Sequence, residues 1–187
     1  MPALALALQG HSKFPGLPAR TTIARWISAA LQRDANLTLR FVDAREGRGL
    51  NRQFRARDYA TDVLTFAYAH RPVVTADIVI CVPVVRRAAR ERGLRLRDHL
   101  AHLLVHGTLH AHGYEHDQPV AARRMERREI GILAGLGIAD PYRSARGLRA
   151  SGPVRLPYCR DRRNLSRHAW TPRTPARHGP GSRKQLI

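Results

Sequence analysis

The chain has 187 residues, a formal net charge of +19 at pH 7 and two cysteines, Cys81 and Cys159. This length predicts one domain of ordinary size. Two distant cysteines fit a reducing compartment better than a secreted disulfide scaffold, so we expect a cytoplasmic protein. Because no apolar run is long enough to cross a membrane, we also expect no membrane partner.

The predicted elements alternate between strand and helix patterns along the first 142 residues. The N-terminal half predicts a strand of alternating Ala and Leu, a helix capped by Thr21 or Thr22 that ends near Leu31, a strand at 37–42 and a loop or short helix at 46–57. In the second half, strands at 63–68 and 76–82 are followed by helices at 84–92, 96–111 and 119–136. This order predicts an α+β fold with a mixed four- to five-stranded sheet packed with helices.

Residues 143–187 follow no periodic pattern and contain twelve Arg and Lys residues against one acidic residue. Such a segment cannot bury enough apolar surface to offset the entropy of ordering, so we predict a basic, disordered tail after a functional domain at 1–142. The tail holds more than half of the net charge. A positive charge of this size attracts polyanions, which permits a nucleic-acid partner without establishing one.

Three histidines, His106, His110 and His116, have the spacing of a metal site. His106 and His110 lie four residues apart, so both project from one face of the predicted helix, where two imidazoles can bind one ion. Gly113 ends that helix and permits a short return that brings His116 to the same ion. Three protein ligands leave one coordination position open, which is typical of a catalytic zinc. The sequence therefore predicts one Zn²⁺ per chain on a central helix and the following turn.

The same histidine spacing occurs in zinc peptidases, which carry Glu directly after the first histidine. This chain has Gly107 there, and glycine cannot act as the general base that peptide hydrolysis needs. A metallopeptidase stays open as an alternative, because Glu115 or Asp117 could approach the site.

Residues 106–116 read HGTLHAHGYEH. Together with the rest of 102–142, they resemble the YbeY family of bacterial rRNA maturation factors, whose hallmark is H-G-x-L-H-L-x-G-Y-D-H. Two further blocks are similar to that family, an arginine-bearing segment at 50–66 and a strand at 76–80. The departures from the hallmark are mild: Ala111 replaces a leucine and Glu115 replaces an aspartate.

The resemblance implies a single-strand-specific, metal-dependent endoribonuclease acting in 3′-end processing of small-subunit rRNA and in ribosome quality control. Its partners would be rRNA and the small ribosomal subunit. The resemblance also implies a catalytic centre formed by His106, His110, His116 and Arg55. A planar guanidinium suits that role, since it can bind two phosphoryl oxygens as charge builds on them. A ribosome-associated RNA-binding factor with purely structural zinc is a third possibility, and the oligomeric state is not predicted.

Several polar residues near the motif have two interpretations. Asp62 and Asp77 could orient a ligand imidazole, or could cap a strand end or turn. His102 extends the histidine stripe by one helical turn and is a candidate for support of the site or substrate contact. His99 and His112 are predicted to have structural or solvent roles, with His99 solvated and His112 pointing away from the ligand face.

Overall fold

A computed structural model describes residues 1–142 of the chain. Its strands are β1 (Leu4–Gln9), β2 (Ala35–Val42), β3 (Val63–Ala69) and β4 (Val74–Cys81). Its α-helices are α1 (Arg20–Ala30), α2 (Ala44–Arg55), α3 (Val82–Glu91), α4 (Leu96–Ala111) and α5 (Pro119–Gly135). The predicted disordered tail at 143–187 lies outside the described residues.

The strands form one mixed sheet in the order β1-β2-β4-β3. β1, β2 and β4 run parallel, and β3 pairs antiparallel with β4 at one edge. Parallel neighbours require crossover connections, which α1 and α2 supply within the chain segments that follow β1 and β2. The α+β class with a mixed sheet is therefore confirmed, with four strands in the described part of the chain.

Helices pack on both faces of the sheet. On one face, apolar side chains of β2 and β4, such as Leu39 and Ile78, join the main core with residues of α1 and α4. On the other face, Val79 and Leu64 form a smaller cluster against Leu50 of α2. Period-2 alternation along each strand produces this division, because successive side chains point to opposite faces. Helices α2 and α4 therefore lie on opposite faces of the sheet.

Helix α4 is the central helix of the main core. It contacts α1, α3, α5 and the sheet, and its Leu100, Leu104 and Leu109 are fully buried. Gly107 lies close against the sheet, where an added Cβ would be 3.0 Å from Thr65 Oγ1 and 3.2 Å from Ile78 Cγ2. Neither α4 nor any other helix within residues 1–142 combines the length and apolarity needed to cross a membrane.

Two helix N-termini differ from the sequence predictions. Helix α1 begins at Arg20 after Ala19, with no side-chain cap, so the proposed cap by Thr21 or Thr22 is wrong. Residues 46–57 were predicted as a loop or short helix, but α2 is a full helix of 12 residues. Its N-terminus is stabilised by Asp43, whose side chain accepts a hydrogen bond from the Glu46 N–H at 2.8 Å.

A candidate metal centre on helix α4 and the following turn

Helix α4 ends in the glycine turn that the sequence predicts. Gly113 has a φ of +86°, the left-handed conformation that glycine adopts without steric cost. Its N–H donates to His110 O at 2.9 Å, and the next N–H, of Tyr114, donates to Leu109 O at 3.1 Å. These two bonds are the pattern of a Schellman motif. The chain thus reverses after α4 and returns His116 towards the helix.

The turn brings His106, His110 and His116 together. The Nε2 atoms of His106 and His110 lie 3.1 Å apart, and the His116 ring centroid lies 5.5 Å from that of His106 and 4.8 Å from that of His110. Nitrogen ligands of a tetrahedral zinc are separated by about 3.3 Å when each bond is about 2.0–2.1 Å. One potential ligand atom from each ring lies within 4.8 Å of the others, so the three residues could hold a metal ion.

Electrostatics keeps His110 in the state that binds a metal. Burial, with the neighbouring His106 and His116, lowers the pKa of His110 to about 3. The imidazole is therefore neutral at pH 7 and does not have to lose a proton before its nitrogen lone pair binds an ion.

A buried carboxylate on α5 orients the first histidine. Glu129 is fully buried, and its Oε1 lies 2.6 Å from His106 Nδ1. A carboxylate at that distance accepts the Nδ1–H, which leaves the Nε2 lone pair of His106 directed at the other histidines. Burial acts to raise the pKa of Glu129, but its interactions with His102 and His106 outweigh burial and hold the pKa below its usual value.

Two further residues complete the surroundings of Glu129. The Tyr142 hydroxyl donates to Glu129 Oε2, and His102 Nε2 lies 3.3 Å from the same hydroxyl and 3.8 Å from Oε2. Burial and the adjacent Glu129 charge raise the pKa of Tyr142, so the hydroxyl remains a hydrogen-bond donor. The Glu129 carboxylate is thus held by groups from α4 and from the chain after α5.

Sequence reasoning missed Glu129 and considered two aspartates instead. Asp62 accepts from the Val63 N–H at 2.9 Å, and Asp77 accepts from the Tyr68 hydroxyl at 2.9 Å. Both bonds are of the strand-end or cross-strand kind. The sequence did contain a sign that Glu129 is buried. It lies four residues after Met125 and four before Leu133, so an acidic residue interrupts an apolar stripe of the helix.

The prediction for His112, the residue after α4, is confirmed, and the prediction for His99, near the start of α4, is wrong. His112 is structural: its Nδ1 lies 2.8 Å from Thr108 O and its Nε2 lies 3.3 Å from the Gln32 nitrogen, which donates to it. His99 was predicted to be solvated, but it is only 2 % exposed. It belongs to α4, which contacts α1, α3, α5 and the sheet.

We expect His99 to make the fold sensitive to acid. Burial, helped by His102 and Arg92, lowers the pKa of His99 to about 4, below the 6.5 of an exposed histidine. Its contribution to stability is thus fully present above pH 6.5 and is lost as pH falls towards 4. With pKa values of about 4 in the folded and 6.5 in the unfolded chain, His99 should lower the free energy of unfolding by roughly 2 kcal/mol between pH 7.5 and pH 5. Neither ring nitrogen of His99 has a hydrogen-bond partner within residues 1–142, so replacing His99 with Leu breaks no hydrogen bond there. In urea unfolding, the stability of His99→Leu should therefore depend less on pH than that of the parent. An equal pH dependence would contradict this role of His99.

Arg55 is the last residue of α2, and its side chain is exposed. Helix α2 lies on the sheet face opposite α4, and the guanidinium makes no hydrogen bond or ion pair within residues 1–142. The structure thus leaves Arg55 accessible to a ligand without joining it to the histidines. Its catalytic role stays a prediction.

A peptidase would need a carboxylate near the metal centre to act as general base. Within residues 1–142, the carboxylate that lies among the histidines is Glu129, and it is hydrogen-bonded to His106. Glu115 and Asp117, the two acids considered from the sequence, do not lie in such a group. Position 107, where peptidases carry their general base, lies against Thr65 and Ile78 with no room for a longer side chain. The geometry disfavours peptide hydrolysis.

Fold and site together define an α+β protein with a metal-binding candidate of three histidines on its central helix. A family model described as Endoribonuclease YbeY matches residues 13–137. The Endoribonuclease YbeY of Paracidovorax citrulli is 53% identical over 146 residues, covering 74% of this chain and 95% of that protein. The one from Polaromonas naphthalenivorans is 54% identical over 149 residues, covering 75% and 97%.

The chain therefore belongs to the YbeY family of endoribonucleases, and this membership makes it an enzyme of the hydrolase class. The family resemblance inferred from the histidine motif is confirmed. The solution structure of TM1509 from Thermotoga maritima also aligns, with a TM-score of 0.47 and 22% identity, covering 73% of this chain and 97% of that one.

Proposed function

We propose that this chain is a zinc-dependent endoribonuclease that cuts single-stranded RNA during maturation of the 3′ end of small-subunit rRNA and in ribosome quality control. Its partners would be rRNA and the small ribosomal subunit, in the cytoplasm. The observation that carries the proposal is the histidine trio, with Nε2 atoms of His106 and His110 3.1 Å apart, in a chain of the YbeY family. All residues of the proposed site lie within 1–142, and the activity is assigned to that part.

His106, His110 and His116 are the proposed ligands of one zinc ion. When bound, zinc polarises a phosphoryl oxygen and lowers the pKa of a coordinated water to about 7. The donor set suits zinc, because three imidazole ligands leave one of four tetrahedral positions open for chemistry. Glu129 keeps His106 in the tautomer that presents Nε2, and the Gly113 turn fixes the return of His116.

Arg55 is the proposed partner of the scissile phosphate. Its exposed guanidinium is free of intramolecular ion pairs in residues 1–142, so binding a phosphodiester breaks no existing bond. Two parallel N–H donors can bind two nonbridging oxygens and stabilise the charge that develops on them. The similarity of residues 50–66 to the arginine-bearing segment of the YbeY family supports this role for Arg55.

The test combines metal analysis with cleavage of a single-stranded rRNA fragment. The full chain should contain close to one zinc per molecule, cut the single strand and leave a duplex of the same sequence intact. Arg55→Ala should fold normally and cut about 10²–10³-fold more slowly, the effect of losing one donor to a developing negative charge. Arg52→Ala, an exposed arginine on the same helix, is the matched control and should cut at the parent rate.

Three outcomes would contradict parts of the proposal. Zinc-loaded protein that binds RNA and leaves it intact favours a structural zinc. Cleavage of casein with no cleavage of RNA favours the metallopeptidase. An undiminished rate for Arg55→Ala removes that residue from the mechanism and leaves the metal assignment in place.

A further inference from the structure

Helix α5 presents two different faces. Met125, Glu129 and Leu133, spaced four residues apart, are buried, and Glu129 contacts the metal centre. The opposite face carries four exposed arginines, which we call the arginine row: Arg123, Arg124, Arg127 and Arg128. Residues spaced by one and by four lie on one side of a helix of 3.6 residues per turn. The helix that supports the metal centre therefore turns a row of guanidinium groups to the solvent.

The charges of this row are not compensated within the described chain. Three other exposed arginines have acidic partners, in the pairs Arg48–Asp58 at 2.6 Å, Arg87–Glu91 at 3.8 Å and Arg95–Asp98 at 2.7 Å. Within residues 1–142, no guanidinium of the row forms a hydrogen bond or an ion pair. Like charges four residues apart on a helix repel each other and destabilise it. An anionic partner would relieve this repulsion.

The rest of the chain is a poor source of that partner. Residues 143–187 contain twelve basic residues and one acidic residue, so that segment repels the row rather than neutralising it. A partner with closely spaced negative charges must come from outside the chain, and a phosphodiester backbone has this property.

The row begins beside the metal centre. The Arg124 guanidinium lies 5.6 Å from the centre of the Tyr114 ring, a cation–π distance. Tyr114 is in the turn after α4, two residues before His116. A strand that bound along the row would therefore have one end next to the turn that carries the third histidine.

We propose that the arginine row is a docking surface for the sugar-phosphate backbone of single-stranded RNA and holds the strand next to the metal centre. This inference rests on the proposed function, because it takes RNA as the substrate. A guanidinium that binds a phosphate in a bidentate manner makes no contact with the bases, so a surface of such contacts gives affinity without sequence preference.

The test removes the row and compares it with an equal loss of charge elsewhere. The variant is Arg123→Gln/Arg127→Gln/Arg128→Gln in the full chain, which keeps Arg124 on Tyr114. The control is Arg48→Gln/Arg87→Gln/Arg95→Gln, which removes the same charge from arginines that already have partners. Binding of a fluorescent single-stranded RNA is measured against salt concentration in a His110→Ala background, so that the RNA stays intact.

The row variant should bind roughly 10- to 100-fold more weakly at 0.1 M salt. The slope of log K against log salt should fall by about 2, at about 0.7 for each lost phosphate contact. The control should lose less than half as much slope, and Arg→Lys at the same three positions of the row should keep most of the slope. In the active chain, the row variant should raise KM and keep kcat, because the row lies outside the reacting atoms.

If both triple variants weaken RNA binding equally, only net charge matters. If the row variant binds RNA as tightly as the parent, the row does not contact RNA. Either result overturns the inference. Failure of the proposed function is a separate observation. If the parent chain binds RNA in the predicted way but never cuts it, the endoribonuclease proposal fails while the docking surface stands. If the parent cuts RNA and the row variant binds equally well, only the docking surface fails.

Discussion

His110→Ala is expected to remove both zinc binding and RNA cleavage. The substitution leaves two of the three imidazoles, and it removes the one whose pKa of about 3 keeps it neutral and ready to bind. Loss of a residue that only orients a ligand weakens metal binding by about 10–100-fold. Loss of the ligand itself should therefore lower the affinity for zinc by more than about 100-fold. Zinc content after dialysis, and competition with a chromophoric chelator, measure this directly.

The matched control for this prediction is His112→Gln. His112 lies two residues further along the chain and is also buried, but its bonds go to Thr108 and Gln32. We expect His112→Gln to lower the melting temperature of the metal-free protein while zinc content and cleavage stay near the parent values. Comparing both variants without metal separates a general loss of stability from a loss of ligation.

Zinc bound by His110→Ala with the parent affinity would contradict the ligand assignment. Binding of intact RNA should persist in this variant, because the substitution leaves the arginines that attract phosphate unchanged. A variant that keeps zinc and loses cleavage would point to a role for His110 in proton transfer instead.

The parts of the fold that the sequence predicted are those governed by local patterns. Helix α4 begins and ends at the predicted residues, because an unbroken apolar pattern precedes Gly113. Helix α5 begins at the predicted Pro119, whose ring suits the first turn of a helix. Helix α2 was underestimated, because Leu50, which packs against the smaller cluster, and Phe54, whose ring contacts Phe66, give a weak periodic signal. Its cap, Asp43, also precedes the segment that was considered.

The candidate site also has parts that local sequence patterns predict and parts that depend on tertiary packing. Two of its histidines share one helix and the third follows a glycine turn, so spacing alone is sufficient to group all three. Glu129 reaches His106 across 23 positions in sequence, and only the packing of α5 on α4 brings them together. His99 was misjudged for a related reason: its burial depends on which elements surround the start of α4, and that information is tertiary.

Glu129→Gln is expected to weaken zinc binding by about 10–100-fold, the usual effect of losing a carboxylate that orients a ligand histidine. The amide is of similar size, but it carries no charge to hold the His106 Nδ1–H, and its NH₂ group cannot accept the hydrogen bond that the Tyr142 hydroxyl donates to Oε2. His106 would then sample the other tautomer, in which Nε2 carries the proton and cannot bind a metal. The zinc dissociation constant, measured by chelator competition, reports this without reference to activity.

Glu126→Gln gives the matched control, since it removes the same charge from the same helix one turn earlier. It should bind zinc like the parent chain. Tyr142→Phe should fall between the two, because it removes one donor to Glu129 and leaves the charge and the His106 contact in place. At saturating zinc, Glu129→Gln should recover much of its cleavage, as expected when a residue positions a ligand and does not touch the substrate. If Glu129→Gln instead holds zinc as tightly as Glu126→Gln, the buried carboxylate serves only to stabilise the packing of α5 on α4.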